Sequence, residues 1–196
     1  MPTRIVDFLS KTHEIPQAEI DILVNLVKPL VIKKGDFLYK EGKVPKHGAF
    51  VLQGILREYY TDSKGVDYVR RFAYEDWWMV DLYELLHEKP ALCSVQAIED
   101  TQLLTFSKND CNVLMNECPI AAKVLREISS AEKYSLAKNE KQKKSVGAQE
   151  NYESLLKNHP EIEKRIPLFH IASYLNIKPE SLSRIRKQMS LSKSNK

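Results

Sequence analysis

The amino-acid sequence predicts an α+β fold in which a jelly-roll-like antiparallel β-roll with flanking helices precedes one long helix and a C-terminal pair of helices. Short β-rich runs alternate with Gly35, Gly42, Gly48 and Gly54, which is typical of an antiparallel sandwich or barrel. After Phe106 the apolar residues recur at helical spacing instead. We therefore expect the roll to occupy residues 28–107, with helices before and after it.

Two helices are predicted over residues 3–28. Their apolar positions are spaced three and four apart, and these are Ile5, Phe8, Leu9, Ile20, Leu23 and Val27. Pro16 fits the first position of the second helix, because its fixed φ suits a helix start and its missing N–H would be unsatisfied there.

A short helix and then a long one are predicted after the roll. Ser107 is the expected N-cap of the short helix, with Asp110 completing a capping box. The long helix runs from Pro119 to about Lys144 and carries an apolar seam of coiled-coil type at Val124, Ile128, Ala131 and Ser135. We favour a dimerisation helix, since its other faces are too polar for burial, and packing of the seam on the chain's own roll is the alternative.

The chain is predicted to have three parts. Residues 1–117 hold the N-terminal helices and an effector-type roll, residues 118–144 the dimerisation helix, and residues 145–196 a C-terminal domain. Charge and glycine around Lys144–Gly147 indicate a hinge, and a helix over about Ala148–Asn158 follows it.

The stretch "IASYLNIKPESLSRIRK" has the apolar skeleton of a helix-turn-helix. Asn176 stands where the chain must turn and tolerates the left-handed conformation needed there, and Pro179 suits the first position of the second helix. The inward positions are small or apolar, and they are Ile171, Ala172, Leu175, Ile177, Leu182 and Ile185. Several constraints agree over about twenty residues, which favours this motif.

The opposite face of the second helix carries Glu180, Ser183 and Arg184. A Glu carboxylate can accept from cytosine, Arg can bond guanine through two donors, and Ser can take either role, so this face is predicted to contact DNA bases. An ordinary surface ion pair between Glu180 and Arg184 is the alternative. The flanking residues predicted to contact phosphates are Ser181, Arg186, Lys187 and Lys178, the last at the likely N-cap position.

The charge distribution supports a nucleic-acid partner. The chain carries +4 overall, but Ile162–Lys196 holds eight Lys/Arg against two Glu, so this segment carries +6 and the remainder −2.

The three cysteines, Cys93, Cys111 and Cys118, are widely spaced and expected to be reduced. No nucleophile–base motif, P-loop or metal-ligand cluster appears, so we do not expect an enzyme or a metal site. Without an apolar membrane span or signal sequence, a cytoplasmic location is expected.

The order of roll, long helix, hinge and helix-turn-helix resembles the Crp/Fnr family of bacterial transcription regulators. The segments that carry the resemblance are "KKGDFLYKEGK", "FVLQGILREYY", "QAIEDTQLLTF" and "PESLSRIRK". It implies a cyclic-nucleotide-binding-like roll and a homodimer on palindromic double-stranded DNA, with RNA polymerase as a further partner. The Glu180, Ser183 and Arg184 pattern is closer to the Fnr branch, which implies TTGA-like half-sites.

The sequence departs from this family at the nucleotide pocket. The family's Gly-Glu-Leu turn is best matched by Val80, Asp81 and Leu82, and its Arg-Ser pair by Cys93 and Ser94. The phosphate-binding Arg is therefore absent, and a buried phosphate needs a cation or N–H donors. We expect no tight binding of cyclic AMP and identify no cofactor or effector. The aromatic residues around Trp77 and Trp78 could line another apolar pocket, although such residues more usually pack in a core. His47 and His87 give only weak support for a metal or haem site.

A second departure lies after Lys187, where "QMSLSKSNK" is too short for the β-hairpin wing that usually follows the recognition helix. We therefore expect a reduced or missing wing, which would lower the affinity for DNA more than the specificity.

Two alternatives remain for the function. One is a cyclic-nucleotide-responsive regulator, and the other is a sensor or scaffold that does not bind DNA and whose helical hairpin is structural.

Overall fold

The computed structural model describes residues 3–11 and 13–194, beginning with two helices. Helix α1 spans Thr3–Leu9 and helix α2 spans Gln17–Leu26. Pro16 was predicted to be the first residue of α2, but it stands one position earlier, at the N-cap, because its ψ of 144° is still extended. Ile5, Leu9 and Leu23 are almost fully buried, so the predicted apolar faces do form the inner sides of these helices.

Among the residues described, eight strands form two four-stranded sheets. The strands are β1 Lys28–Ile32, β2 Phe37–Tyr39, β3 His47–Gln53, β4 Leu56–Thr61, β5 Asp67–Ala73, β6 Trp78–Met79, β7 Ser94–Ala97 and β8 Thr101–Ser107. The first sheet has the order β1-β8-β3-β6 and the second the order β2-β7-β4-β5. Every strand pairing described is antiparallel, as the glycine-punctuated runs predicted. The strands begin and end at the predicted bounds of the roll, residues 28 and 107.

Close packing requires a glycine between β3 and β4. Gly54 has a φ of 103°, and a Cβ at this position would lie 2.8 Å from the Cα of Thr101. A side chain would therefore be strained by its backbone conformation and would collide with the start of β8.

The first sheet separates two apolar cores. Phe50, Trp78 and Leu104 face the helices and pack with residues of α1 and α2. Their sequence neighbours Val51, Met79 and Leu103 face the interior of the roll, with residues of the second sheet. The alternation of neighbours between the two faces is the two-residue period of a strand, and it leaves the first sheet covered on both sides.

Three helices border the roll or leave it. A short helix that the sequence analysis did not predict, α3, spans Leu82–His87. Helix α4 spans Lys108–Glu117, and the predicted capping box of Ser107 and Asp110 is confirmed. Helix α5 spans Pro119–Ser145 and ends within a residue of the predicted bound.

A carboxylate from another element caps the start of α5. Glu19 of α2 is buried, and its two oxygens accept from the N–H groups of Ile120, at 3.3 Å, and Ala121, at 2.9 Å. The first N–H groups of a helix have no partner within the helix, and negative charge is favourable there. This contact therefore fixes the position of α5 relative to α2.

The last four helices are α6 Ala148–Asn158, α7 Ile162–Arg165, α8 Leu168–Tyr174 and α9 Pro179–Ser194. The chain divides into two compact units, one of Met1–Tyr60 and Phe72–Lys133, the other of Thr61–Arg71 and Tyr134–Lys196. The observed bounds of α6 agree with the predicted ones, about Ala148–Asn158. In the described part of the chain, no helix has both the length and the apolar character of a membrane span.

Candidate nucleic-acid interface

The pair α8 and α9 forms a helical hairpin around a tight turn. Asn176 has a φ of 57°, which confirms the predicted left-handed residue, and Pro179 is the first residue of α9, also as predicted. The N–H of Ile177 donates to the carbonyl of Ala172 at 3.0 Å and closes the turn. Asn is among the few residues with a side chain that adopt this conformation at low cost.

The inner face of the hairpin is apolar and buried. Ile171, Ala172 and Leu182 are at most 1% exposed, and Leu175 is also buried. An alanine at position 172 lets α8 and α9 approach closely, since its side chain is a single methyl group. This inner face fixes which side of α9 is turned outwards.

The predicted base-contacting residues are together on that outer side. Glu180, Ser183 and Arg184 are all exposed and lie in the N-terminal half of α9. No ion pair joins Glu180 to Arg184 among the residues that the structure describes, so the predicted alternative of an internal pair is not formed. Arg184 Nη2 donates a long hydrogen bond, 3.3 Å, to the hydroxyl of Ser181.

The residues predicted to contact phosphates are placed differently from one another. Lys178 and Lys187 are exposed at the start and in the middle of α9, whereas Ser181 is half-buried. Arg186 forms an ion pair with Glu163 of α7, 2.7 Å from Nε to Oε1. Its contact with phosphate stays a prediction, while its guanidinium has a partner within the domain.

Glu163 also accepts a hydrogen bond from the hydroxyl of Tyr152 in α6. Burial and the Glu163 carboxylate both raise the pKa of Tyr152, so the phenol stays protonated at neutral pH. Partial burial lowers and the same carboxylate raises the pKa of Arg186, with a net rise. This cluster ties α6, α7 and α9 together. Sequence reasoning missed it because the three side chains belong to different helices.

The first residues of β5 contact α8 within the second unit. The hydroxyl of Ser173 accepts from the N–H of Val69 at 3.0 Å and donates to the carbonyl of Asp67 at 2.6 Å. The tip of the β4–β5 hairpin is held by Asp62, whose carboxylate accepts from the N–H groups of Lys64 and Val66, and these bonds lower its pKa. No sequence signal indicates this contact, since the partners are more than 100 residues apart.

Helix α9 continues to Ser194, past the predicted end of the recognition helix near Lys187. The Ser/Lys-rich segment that is too short for a wing is therefore helical over residues 188–194. No strand follows α9 in the described ranges, residues 3–11 and 13–194.

The predicted seam of α5 divides into a buried part and an exposed part. Val124 is 1% exposed and packs in the core of the first unit, and Ile128 is half-buried against the same core. Ala131 and Ser135 are exposed, as is Tyr134 at 72%. The alternative of packing on the chain's own roll thus describes the first half of the seam, and the second half remains open to a partner.

The residues matched to the nucleotide pocket are divided between an apolar cleft and the interior of the chain. Val80 and Leu82 line an apolar cleft that Asp81, Cys93 and Ser94 do not reach. Cys93 and Ser94 are buried, and the Ser94 hydroxyl accepts from the N–H of Glu41 at 3.0 Å. Ser94 therefore holds the chain just after β2.

Charged groups buried in the roll also have partners. Arg57 is 6% exposed, donates to Gln96 Oε1 through Nε at 2.9 Å and Nη2 at 2.6 Å, and lies over the ring of Tyr59. Glu58 is buried as well. Its register partner is Val95, whose side chain belongs to the interior of the roll. A carboxylate on that side would repel a phosphate.

The aromatic residues around Trp77 and Trp78, which could have lined another apolar pocket, are not gathered on one side of the first sheet. Trp78 is buried on the helix side of the first sheet and Met79 on the roll side, whereas Trp77 and Tyr83 are exposed. The ring of His87 packs against the ring of Tyr83 at a tilt of 46°, with centroids 4.6 Å apart. No group of three metal-ligating side chains occurs among the described residues. The three cysteines are free and buried, which confirms the prediction that they are not bridged.

Residues 29–118 match the family of cyclic nucleotide-binding domains. No curated protein is similar enough to this chain to count as a relative. The match begins within β1 and ends just after α4, so it covers the roll and its two sheets but neither α5 nor the hairpin of α8 and α9.

Solved structures with the same fold extend over most of the chain. FixK2 from Bradyrhizobium japonicum has a TM-score of 0.73 and 17% identity over 85% of both chains. A transcriptional regulator of the Crp/Fnr family from Eubacterium rectale has a TM-score of 0.72 and 15% identity over 95% of this chain and 88% of its own. The c-di-GMP-responsive global regulator CLP from Xanthomonas campestris has a TM-score of 0.71 and 10% identity over 90% and 93%.

Proposed function

We propose that the protein is a sequence-specific DNA-binding transcription regulator of the Crp/Fnr type, which acts as a homodimer and does not respond to cyclic AMP. The observation that carries this proposal is the exposed face of α9. Glu180, Ser183 and Arg184 lie together there, on a helix whose opposite side is fixed by the buried Leu182.

The chemistry of this face suits the major groove. The N-terminal half of a recognition helix enters the groove, and arginine bonds the O6 and N7 atoms of guanine through two donors. A glutamate accepts from the amino group of cytosine. The one hydrogen bond described for the Arg184 guanidinium is the long one to Ser181. Little free energy is therefore lost when this guanidinium binds a base instead.

Phosphate contacts would fix the position of α9 on the duplex. Lys178 and Lys187 are exposed and lack a described acidic partner, so both can neutralise phosphates. Such contacts release counterions and make the affinity depend steeply on salt. The net charge of +6 on Ile162–Lys196 supports the same role.

Dimerisation would use the second half of α5. Ala131, Tyr134 and Ser135 are exposed on a helix that continues to Ser145, and a second copy of the same helix would cover them. Two copies of α9 would then read the two halves of a palindrome, which for the Fnr-like pattern of Glu180, Ser183 and Arg184 would be TTGA-like. RNA polymerase would be the further partner.

The proposal that cyclic AMP is not the effector rests on the charges of the roll. The buried Arg57 is bound to Gln96, the Ser94 hydroxyl to the backbone of Glu41, and Glu58 adds a buried carboxylate. A cyclic phosphate in the roll would therefore meet no uncommitted cation among these residues.

Selection of binding sequences from random DNA tests the proposal. We expect an inverted repeat of TTGA-like halves bound by a dimer, and Arg184→Ala should lose that preference. Lys164→Ala removes one positive charge from α7, outside the face of α9, and serves as the matched control. Equal retention of all sequences by the wild type and both variants would contradict specific reading.

A cyclic-nucleotide-responsive regulator is the second candidate, because residues 29–118 match the cyclic nucleotide-binding family. Titration calorimetry with cyclic AMP and cyclic GMP separates the two candidates. No saturable binding at micromolar concentration is expected, and saturation there would favour the second candidate.

A further inference from the structure

The carboxylate of Glu163 joins three helices of the second unit at one point. Glu163 belongs to α7, and its Oε1 atom accepts from Arg186 Nε of α9 at 2.7 Å and from the hydroxyl of Tyr152 in α6. Tyr152 and Ile162, the residue before Glu163, are each 1% exposed. A buried hydroxyl needs a hydrogen-bond partner, so Tyr152 holds the carboxylate in one place. Arg186 therefore has a fixed acceptor outside the hairpin of α8 and α9.

Position 186 lies nearer to the inner side of α9 than to its outer face. A helix turns by about 100° per residue, so Arg186 is about 40° around the helix from the buried Leu182 and about 160° from Arg184. Lys187, the next residue, is only about 60° from Arg184. The two adjacent basic residues therefore lie on different sides of α9, Arg186 next to Glu163 and Lys187 next to the face proposed to bind DNA.

The ion pair of Arg186 and Glu163 carries no net charge. A phosphate contact releases counterions from DNA because a protein cation replaces them, and this exchange needs a positive charge that is not already compensated. Lys187 has no described acidic partner and can supply such a charge, whereas the guanidinium of Arg186 is compensated at 2.7 Å. If Arg186 turned to a phosphate, the carboxylate of Glu163, which is only 32% exposed, would lose its cation.

We propose that Arg186 and Glu163 are positioning residues for DNA binding: their ion pair, anchored on Tyr152, sets the placement of α9, and Arg186 acts through Glu163 and not on a phosphate. This role rests on the proposed function, because the placement of α9 matters only if α9 binds DNA. A carboxylate near a DNA-binding helix ordinarily repels phosphates, so its removal raises the affinity. Removal of Glu163 should instead lower the affinity, because α9 loses its attachment to α7.

The direction of the change in affinity tests the role of Glu163. Fluorescence anisotropy with the selected palindrome is measured at a temperature at which every variant is fully folded, so that a loss of stability alone changes nothing. Glu163→Ala should weaken binding by about fivefold. Glu161→Ala removes the same charge two positions away, where an exposed pair with Lys164 is the contact described, and should leave the affinity unchanged or raise it. A rise in affinity in Glu163→Ala would overturn the proposal.

The salt dependence of binding tests the role of Arg186. Arg186→Gln should weaken binding by about the same factor as Glu163→Ala and leave the slope of log affinity against log salt unchanged. The double variant should bind no more weakly than either single variant, because both changes break one contact. A slope reduced by about 1, as expected for Lys187→Ala, or additive losses in the double variant would assign Arg186 to a phosphate and overturn the proposal.

Hydrogen exchange without DNA tests the attachment of α9 directly. Exchange at the amides of Ile185 and Arg186 should become about fivefold faster in Glu163→Ala, whereas Ile171 in the core of the hairpin should be much less affected. Unchanged exchange at both α9 amides would show that the cluster does not hold the helix, and the proposal would fall.

The wild type separates a failure of this role from a failure of the proposed function. If the wild type binds the selected palindrome and Glu163→Ala binds it equally well, the positioning role alone is wrong. If the wild type binds no DNA, the proposed function is wrong and the positioning role falls with it. Tyr152→Phe, which keeps the buried ring and the ion pair, should weaken binding by about twofold, less than Glu163→Ala does.

Discussion

The exposed Arg184 on the outer face of α9 and the buried Arg57 of the roll differ in how firmly hydrogen bonds within the chain hold them. Arg184 and Glu180 are exposed, and Arg184 has one long contact to Ser181. In the roll, Arg57 is buried, bound twice to Gln96 and stacked on Tyr59. A charge that is already satisfied must break bonds before it binds a ligand, so the outer face of α9 is the better candidate for recognition.

The largest effect is expected on the inner side of the same helix. Leu182→Ala should lower the free energy of unfolding of the C-terminal helices by about 2–5 kcal/mol, because it leaves a cavity in a core where Leu182 is 1% exposed. Chemical denaturation followed by circular dichroism measures the change. Ser183→Ala, one position along and exposed, should change stability by less than about 0.5 kcal/mol. Equal losses of stability in both variants would show that position 182 is no more buried than position 183.

The next effect concerns Ser173 and the first residues of β5. Ser173→Ala leaves the N–H of Val69 without its acceptor, which should cost about 1–3 kcal/mol of local stability. Hydrogen exchange should become faster at the Val69 amide, and the amide of Ile171 in the hairpin core should be much less affected. Unchanged protection at Val69 would show that the Ser173 hydroxyl does not hold this part of β5 in place.

A smaller effect is expected at Lys187, which we assign to a phosphate. Lys187→Ala should weaken DNA binding by a similar factor for every sequence and reduce the slope of log affinity against log salt by about 1. Fluorescence anisotropy over a salt series measures both quantities. If the variant changed the preferred sequence instead of the salt slope, Lys187 would belong with the base-contacting residues.

The smallest effect is a pH dependence at His159, the residue that follows α6. Burial lowers the pKa of His159 below its ordinary value of 6.5, so the folded state binds the proton less well than the unfolded state. The stability should therefore be complete above pH 6.5 and fall as the pH decreases from 6.5 towards the folded-state pKa. Thermal unfolding across this range should show the decrease in the wild type, and His159→Gln should remove it.

Local sequence signals accounted for much of the fold and for the hairpin of α8 and α9. The capping box of Ser107 and Asp110, the left-handed Asn176 and the start of α9 at Pro179 depend on neighbours within a few residues, and each is confirmed. The bounds of α5 and α6 follow from helical periodicity and from Gly147 in the same way.

Contacts between distant segments could not be predicted in this way. The Ser173 hydroxyl meets the backbone of Val69, Glu163 meets Arg186, and Glu19 caps α5. In the sequence, none of these residues stands in a motif or at a spacing that would distinguish it from an ordinary exposed polar residue. The apolar cleft was missed for the same reason, since its walls come from separate helices and one sheet.

The central claim is that Arg184 reads a base, and one double-mutant cycle tests it most directly. The affinities of wild type and Arg184→Ala are measured for the selected palindrome and for the same DNA with the half-site G·C pair replaced by A·T. The wild type should lose about 1–3 kcal/mol on the replacement, and Arg184→Ala should bind both DNAs equally. If both proteins lost the same amount, a residue other than Arg184 would read this base pair.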